Sequence, residues 1–208
     1  MTFEGGEGAG KSTLAAAVRE LLQARGFEVQ SSREPGGTAA AERIRRLLVE
    51  DAPEPFSPIT EALLHTAARA EHVERWIRPG LAAGKVLLLD RFTDSTRVYQ
   101  GIAGGLGQAT IDRLQRLAFG DLEPDLTLVL DLPVAVGLER AMASGVTNRY
   151  ERLGTAFHER VRAGFLELAE AEPERIKVLD AARPAEAVLR DATLIIERRL
   201  SRPTAGRR

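Results

Sequence analysis

Residues 5–13 (GGEGAGKST) have the types and spacing of a loop that binds polyphosphate. Glycines at the ends of the Gly-x-x-x-x-Gly-Lys-Ser pattern let successive backbone N–H groups point toward one anion. The Lys11 ammonium can reach the β- and γ-phosphates of a nucleoside triphosphate, and the Ser12 hydroxyl can ligate Mg²⁺. The helix that begins near Lys11 adds the positive end of its dipole. A glycine turn that matches by chance is the alternative, but the strand before and the amphipathic helix after favour the phosphate loop.

Two arginines follow predicted strands and suggest a second anionic ligand. Arg33 opens the stretch REPGGT, and Arg91 follows Asp90 at the end of the apolar run at residues 85–90. A guanidinium group can hold a phosphate through two parallel hydrogen bonds. Either arginine could instead form a surface ion pair, but two of them beside a phosphate loop favour an acceptor that already carries a phosphate.

The elements that must position these residues alternate between strands and helices. Continuous apolar runs at residues 85–90 and 126–132 are typical of strands buried on both faces of a parallel sheet. We therefore predict a three-layer α/β fold with a central, mostly parallel five-stranded sheet flanked by helices. Ligands of such sheets bind at the carboxyl ends of the strands, where the candidate residues should converge.

Apolar spacing, together with glycine, proline and capping residues, sets the predicted boundaries of the strands and helices. Strands are expected at residues 2–4, 27–32, 85–90, 126–132 and 176–179, and the first is either short or begins upstream of Met1. Helices are expected after residue 11 and at 39–49, 108–119, 134–143 and 150–172. A long helix should run from Ser57-Pro58 to Gly84, and a last helix should bury Val188, Ala192, Ile195 and Ile196. The inward face predicted for the long helix consists of Leu63, Ala67, Ala70, Ile77 and Leu81.

Composition narrows the class of protein. The chain has 208 residues, a formal net charge of -1 and no cysteine. The charge gives no indication of nucleic-acid binding, and the lack of cysteine excludes disulfides and thiolate metal sites. No apolar run reaches the length that spans a membrane. We expect a cytoplasmic protein with neither a nucleic acid nor a membrane as partner.

Further stretches, in this order and spacing, resemble the thymidylate kinases. They are residues 33–38 (REPGGT), 63–71 (LLHTAARAE), 90–101 (DRFTDSTRVYQG) and 124–127 (PDLT). The resemblance covers nearly the whole chain, so it implies one P-loop kinase domain at residues 1–208. It also implies transfer of the γ-phosphate of ATP to dTMP, giving dTDP and ADP in dTTP biosynthesis, with Mg²⁺ and a homodimer.

The resemblance assigns a role to each candidate residue. The phosphate loop would bind ATP through Gly5, Gly6, Glu7, Gly8, Ala9, Gly10, Lys11, Ser12 and Thr13. Acceptor binding would fall to Glu7, Arg33, His65, Arg69, Arg91, Ser95, Tyr99 and Gln100. In the family, residues at these positions hold the phosphate (Arg33 and Arg91), the sugar (Glu7 and Tyr99) and the base (Arg69 and Gln100). Asp90, with Ser12, would work near Mg²⁺, directly or through water. A solvated Glu7, a capping Asp90 and a core Tyr99 are the plainer alternatives.

His65 departs from the family pattern, which commonly has a phenylalanine stacked on thymine there. A neutral imidazole can still stack, but its protonation below about pH 6.5 would change the stacking surface. We therefore expect the base preference and the pH dependence of activity to depend on His65.

Some members of the resembled family carry an arginine inside the phosphate loop, and others supply it from a mobile lid; the loop of this chain contains none. We predict a mobile lid at about residues 140–153, which holds Arg140, Arg149 and Arg152. Arg149 aligns best with the family's lid arginine and would act with Lys11, Asp90 and Arg91 in catalysis. The alternative is an exposed helix and loop with ion pairs. The tail at residues 201–208 is expected to be disordered.

Other functions fit less well. Another nucleoside monophosphate kinase or a deoxynucleoside kinase would share the phosphate loop, but thymidine would leave Arg33 and Arg91 without an anion. A nucleotide-driven switch should carry a guanine-reading motif, which the chain lacks. His65, His72 and His158 show no metal-ligand spacing, and the last two are expected to be surface or helix residues.

Overall fold

The computed structural model describes residues 1–50, 55–143, 145 and 149–201. A five-stranded sheet in the order β2-β3-β1-β4-β5 forms its centre, and every strand pair is parallel. This confirms the predicted P-loop kinase architecture. The strands are β1 (Thr2–Gly5), β2 (Val29–Arg33), β3 (Val86–Asp90), β4 (Thr127–Asp131) and β5 (Ile176–Asp180).

Helices flank the sheet on both faces. They are α1 (Lys11–Ala24), α2 (Ala39–Val49), α3 (Pro58–His72), α4 (Arg78–Ala82), α5 (Thr93–Thr96), α6 (Gln108–Phe119), α7 (Val134–Ala143), α8 (Thr155–Ala171) and α9 (Ala185–Leu200). Two π-helical segments, Val73–Ile77 and Arg97–Ala103, connect α3 to α4 and extend α5. A 3₁₀ turn at Arg149–Arg152 precedes α8, so the predicted helix at 150–172 begins later than expected. No helix in the described part of the chain is both long and apolar enough to cross a membrane.

Alternate residues of the strands supply the two faces of the core. Leu128 and Leu130 of β4 pack with α1 and α9 on one face, whereas Val129 packs with α8 and the second π-helical segment on the other. This alternation follows from the two-residue repeat of a strand, whose successive side chains point to opposite faces. Both faces of β4 are buried, as its uninterrupted apolar sequence predicted.

The predicted inward face of the long helix is correct at Ile77, which is 4% exposed, and wrong at Leu63, Ala67 and Leu81. Leu63 and Leu81 are 49% and 46% exposed, whereas the residues of α3 that are buried are Ala62, Thr66, Ala68, Arg69 and His72. Thr66, Arg69 and His72 are polar but hydrogen-bonded to other buried groups. A prediction from the spacing of apolar residues therefore missed the buried face. The π-helical segment that follows also shifts the phase of the side chains.

His72 and His158 both lie on helices, but neither is on the surface. Their exposed fractions are 0% and 4%. His72 reaches the core because its Nδ1 lies 2.9 Å from Glu34 Oε1, which satisfies one ring nitrogen there. Of the two positions predicted for these histidines, the helix is therefore confirmed and the surface is wrong.

Candidate active site

The phosphate loop joins β1 to α1 in a conformation that needs glycine. Gly5, Gly8 and Gly10 have φ angles of 134°, 66° and 90°, a region that side chains with a Cβ rarely adopt. The Lys11 ammonium donates to the carbonyls of Gly5 and Gly6 at 3.2 and 2.7 Å. Burial, with the charge of Arg91, lowers the pKa of Lys11 to about 8.

The backbone of α7 lies against the phosphate loop. A Cβ at Gly8 would stand 2.0 Å from the Gly137 carbonyl oxygen, and a Cβ at Gly137 would stand 2.5 Å from the Glu7 carbonyl oxygen. Both glycines are therefore required by close approach of the two backbones. The shape of the loop is fixed by packing as well as by its own turn.

Ser12 and Asp90 supply oxygen atoms next to each other at the start of α1 and the end of β3. The Ser12 hydroxyl donates a short hydrogen bond to Asp90 Oδ2. A hydroxyl and a carboxylate are ligands that Mg²⁺ accepts when phosphate oxygens complete its shell. Within the described ranges, no group of three or more His, Cys, Asp or Glu side chains is placed to hold a metal. The donor set thus fits an ion shared with a nucleotide rather than a metal held by protein alone.

Arg91 is the centre of a hydrogen-bonded cluster between the phosphate loop and the second π-helical segment. Its Nη1 donates to Gly5 O and to Ser95 Oγ, both at 3.1 Å. Its Nη2 donates to Glu7 Oε1 at 3.0 Å and to the Tyr99 hydroxyl at 3.2 Å. The Tyr99 hydroxyl in turn donates to Glu7 at 3.0 Å. The structure therefore brings together four predicted acceptor residues from two separate parts of the chain, the phosphate loop and residues 90–101.

The charges in this cluster change the titration of its members. Burial alone would raise the pKa of Glu7, but the nearby charges of Arg91 and Lys11 lower it. Burial raises the pKa of the Tyr99 hydroxyl. Glu7 is therefore an anion and Tyr99 a neutral donor at neutral pH. The solvated alternative for Glu7 is wrong, because its side chain is only 14% exposed. Tyr99 does pack in the core, as its alternative states, and its hydroxyl also reaches the cavity.

Arg33 stands at the rim of the same cavity with fewer contacts. Its side chain is 56% exposed, and its Nη2 lies 3.4 Å from each carboxylate oxygen of Glu42. Arg45, one turn further along α2, donates to the Pro35 carbonyl at 2.7 Å and also lines the cavity. The end of β2 and helix α2 thus present two cations to the same space.

Arg69 reaches the cavity wall from α3, but the protein already uses its donors. Its Nε donates to Glu34 Oε2 at 2.6 Å, its Nη1 to Thr96 Oγ1 at 3.0 Å and its Nη2 to Phe92 O at 2.9 Å. A guanidinium group has five N–H donors, so two remain for a ligand. Its predicted contact with the base stays a prediction.

His65 also lines the cavity, and its environment contradicts the expected pH switch. Burial, reinforced by the charges of Arg69, Arg91 and Arg45, lowers the pKa of His65 to about 3. The ring is therefore neutral throughout the range in which its protonation was expected. Its Nε2 lies 2.9 Å from the Tyr150 hydroxyl, which links it to the segment before α8.

The lid arginines have different surroundings. Arg149 pairs with Glu61 of α3 and lies 5.0 Å from the ring centroid of Tyr150. Glu61 also accepts from Gln100 Nε2 at 3.2 Å, so Arg149 is linked to the predicted base-reading residue. Arg140 instead donates to the Ala181 carbonyl at 3.2 Å. Residues 144 and 146–148 of the predicted lid, and 202–208 of the predicted tail, lie outside the described residues.

One cavity of about 420 Å³ contains most of the predicted site. The predicted residues that line it are Glu7, Gly8, Gly10, Lys11, Ser12, Thr13, Arg33, His65, Arg69, Asp90, Arg91, Ser95, Tyr99 and Gln100. Arg149 is not among them, and Ala9 is buried in the core cluster beside the loop. Sequence reasoning missed Glu34, Pro35, Arg45, Val49, Thr96 and Tyr150. Glu34 and Pro35 lie inside the REPGGT motif and could have been included, whereas Arg45 resembles the other arginines of α2.

Comparisons with known proteins agree with this geometry. The family model described as thymidylate kinase matches residues 3–192. A thymidylate kinase of Caulobacter vibrioides is 51% identical over 200 residues, which are 96% of each chain. One from Pseudomonas fluorescens is 54% identical over 184 residues, or 88% of each chain. The crystal structure of thymidylate kinase from Ehrlichia chaffeensis superposes with a TM-score of 0.75 and 31% identity, covering 94% of this chain and 96% of that one.

Proposed function

The chain belongs to the thymidylate kinase family and converts dTMP to dTDP with ATP as donor, and from this premise we propose which residues do the work. The observation that carries the proposal is the Arg91 cluster, in which one guanidinium group bonds the phosphate loop and three acceptor-side side chains. This cluster supports a cation between the donor and the acceptor phosphates.

The donor nucleotide occupies the phosphate loop. Backbone N–H groups and the Lys11 ammonium bind its phosphates, with Lys11 exchanging its bonds to the Gly5 and Gly6 carbonyls for phosphate oxygens. Ser12 and Asp90 would hold Mg²⁺, which when bound would neutralise charge on the β- and γ-phosphate oxygens. The neighbouring hydroxyl and carboxylate oxygens support this assignment.

The acceptor phosphate and sugar occupy the space beside Arg91. Arg91 and Arg33 bind the dTMP phosphate from the ends of β3 and β2. Glu7 accepts from the 3′-hydroxyl of the sugar, because its low pKa keeps it an anion beside the donor loop. Ser95 and Tyr99 form the wall of this space. The hydrogen bonds of its hydroxyl group with Arg91 and Glu7 hold the Tyr99 ring in place. A ribose 2′-hydroxyl would then have neither space nor a hydrogen-bond partner, so the site selects deoxyribonucleotides.

The base lies between α3 and the second π-helical segment. Arg69 and Gln100 donate to its polar edge, and the neutral His65 ring faces its plane. The wall position of all three supports this arrangement. Tyr150 adds an aromatic side to the same space.

Arg149 supplies a cation to the transferring group once the lid at about residues 140–153 closes. In the described structure Arg149 pairs with Glu61 instead, so we propose that closure exchanges this ion pair for the phosphoryl oxygens. Lid closure also excludes water, which limits hydrolysis of ATP.

The enzyme is further proposed to be one domain spanning residues 1–208 that works as a homodimer in the cytoplasm. The match of one family model to most of the chain supports a single domain. A formal net charge of -1 offers nucleic acid no electrostatic attraction. Sedimentation of the purified chain distinguishes a dimer of about twice 22.6 kDa from a monomer.

The test of the proposed function is ADP release with Mg-ATP against a panel of acceptors. The panel is dTMP, dUMP, UMP, CMP, AMP, GMP and thymidine. A strong preference for dTMP over UMP and thymidine is expected, because Arg91 needs a phosphate and Tyr99 excludes the 2′-hydroxyl. Turnover of thymidine but not dTMP, or hydrolysis without any acceptor, would contradict the acceptor assignments while leaving the phosphate loop intact.

A further inference from the structure

Glu4 is a buried carboxylate that lies outside the substrate cavity. It belongs to β1 and is 0% exposed. Its Oε1 accepts the backbone N–H of Phe92 at 2.7 Å, and its Oε2 accepts the Ser95 hydroxyl at 2.6 Å. A buried carboxylate is costly unless hydrogen bonds compensate it, so its presence in the interior of the sheet requires an explanation.

The segment that Glu4 binds is the turn that carries Arg91. Arg91 has a φ of 68°, the only positive φ of a non-glycine residue in the described part of the chain. Such a conformation costs about 1–3 kcal/mol and persists where the surroundings hold it. Three consecutive residues of β1 do so: Phe3 O accepts the Arg91 N–H at 3.0 Å, Glu4 accepts the Phe92 N–H, and Gly5 O accepts Arg91 Nη1.

Ser95 connects Glu4 to the guanidinium group itself. A hydroxyl has one donor hydrogen and two acceptor lone pairs. Since the Ser95 hydrogen goes to Glu4, its oxygen is left to accept Arg91 Nη1 at 3.1 Å. Without a strong acceptor at Glu4, the Ser95 hydroxyl could rotate so that its hydrogen, rather than its oxygen, points at the Arg91 guanidinium group, and the hydrogen bond from Arg91 would be lost.

We propose that Glu4 is a positioning residue that fixes Arg91 for binding of the acceptor phosphate, through the Phe92 backbone and the Ser95 hydroxyl. The inference rests on the proposed role of Arg91 in holding dTMP. Glu4 itself touches no substrate, since it is fully buried beneath the turn. The charged groups around it are Asp94 and the cations Arg91 and Lys11, and burial with the Asp94 charge raises the pKa of Glu4 to about 7.

The experiment compares Glu4→Gln with Thr2→Val. Glutamine has the same shape and can still accept the Phe92 N–H, but its amide nitrogen would donate to Ser95 instead of accepting. Thr2→Val is the matched control, because it removes a buried hydrogen bond to Thr127 from the same strand, away from Arg91. We expect Glu4→Gln to raise the KM for dTMP about tenfold and leave the KM for ATP within about twofold. Thr2→Val should leave both KM values unchanged.

A second readout separates positioning from general destabilisation. Exchange of the Arg91 guanidinium protons, assigned in an NMR spectrum by their loss in Arg91→Lys, should become at least about tenfold faster in Glu4→Gln and stay slow in Thr2→Val. Unchanged exchange and unchanged KM for dTMP in Glu4→Gln would overturn the inference. So would equal effects of the two variants.

The design also keeps the two proposals apart. If the wild-type protein does not phosphorylate dTMP, the proposed function fails, yet guanidinium exchange still decides whether Glu4 holds Arg91. If Glu4→Gln does not fold, guanidinium exchange in Ser95→Ala carries the test, because this variant removes the link between Glu4 and Arg91; its KM for dTMP is not used, since Ser95 also lines the acceptor space. Where both fold, the double variant should be no worse than Ser95→Ala alone, since Glu4 acts on the guanidinium group through Ser95.

Discussion

The ends of β2 and β3 each present an arginine to the same cavity, but the two are built differently. Arg91, after β3, is 16% exposed in its side chain, and its guanidinium group bonds Gly5, Glu7, Ser95 and Tyr99. Arg33, at the end of β2, is 56% exposed and touches only the edge of Glu42 at 3.4 Å among the contacts of the described residues. The same residue type at the same kind of position is therefore held by four hydrogen bonds in one case and is exposed with only long contacts in the other.

The difference teaches how one phosphate can be held in two ways. A guanidinium group that is already bonded in place loses little conformational freedom when a ligand arrives. An exposed arginine must lose side-chain entropy on binding, but it can follow a phosphate that moves during closure. We therefore assign Arg91 to fixing the position of the acceptor phosphate and Arg33 to adding affinity.

Removal of Arg91 should give the largest effect. Arg91→Ala is expected to lower kcat/KM for dTMP about 10³-fold and to reduce stability by about 3 kcal/mol, because it also leaves the buried Glu7 charge without its main partner. ATP binding, measured by titration with a non-hydrolysable analogue, should survive. Arg91→Lys serves as the control, since it restores the charge but not the fork. Unchanged turnover of dTMP in Arg91→Ala would remove its assigned role.

The next prediction concerns how the free energy of unfolding depends on pH, which should differ between the surroundings of Arg91 and those of Arg33. The pKa of Glu4, under the Arg91 turn, is raised to about 7, so the folded protein binds a proton that the unfolded chain releases above about pH 4.5. The stability that this group contributes therefore falls as the pH rises from 4.5 to 7, by up to about 3 kcal/mol.

Urea unfolding of wild-type protein and Glu4→Gln between pH 5 and 8 checks this sign. The advantage of the variant should grow with pH. Glu42→Gln is the matched variant beside Arg33, where the Gly37 N–H and the Arg33 charge outweigh burial and lower the pKa of Glu42. The stability that the Glu42 carboxylate contributes in the wild type should instead be lost as the pH falls below about 4.5, so this variant is compared with the wild type between pH 3 and 8. Parallel pH dependences for the two variants would refute the contrast.

Removal of Arg33 should have a smaller and purely functional effect. Arg33→Ala is expected to raise the KM for dTMP about tenfold and to leave the melting temperature within about 2 °C of wild type, because the side chain is exposed and weakly bonded. Steady-state kinetics and a thermal melt on one preparation test both parts. A large drop in melting temperature would show that Arg33 has a structural role like that of Arg91.

The smallest effect is expected at His65, on the base side of the cavity. Because the pKa of His65 is lowered to about 3, the ring does not titrate between pH 5.5 and 7.5. His65→Phe should therefore leave the shape of the pH profile unchanged and alter the KM for dTMP less than about threefold. A profile that is flatter in the variant than in the wild type would restore the pH role expected from the sequence.

Much of the fold was predictable because the chain marks its own boundaries. Thr38 caps α2 through its hydroxyl, Ser57 and Pro58 begin α3, and Gly120 ends α6 with a positive φ. Each of these residues begins or ends the helix next to it in the chain, so a few consecutive residues are enough to predict its effect. The phosphate loop and the strand-end arginines were predictable for the same reason.

The parts that were missed depend on partners far along the chain. Arg69 and His72 lie on the buried face of α3 because both bond Glu34, which is 35 and 38 residues away. Periodicity treats such residues as exposed, and so it assigned Leu63 to the interior. Glu4 gave no signal for the same reason, since its partners lie near residue 92.

The backbone contact between Gly8 and Gly137 limits where a side chain can be added to the loop. No side chain fits at Gly8 without displacing α7, and Ala9 is 3% exposed, whereas a Cβ at Gly6 would meet nothing within 4 Å and needs no left-handed backbone. Among the glycines of the phosphate loop, Gly6 is therefore the one at which a small side chain such as cysteine meets no neighbour and needs no left-handed backbone, so a substitution there tests how much freedom the loop keeps.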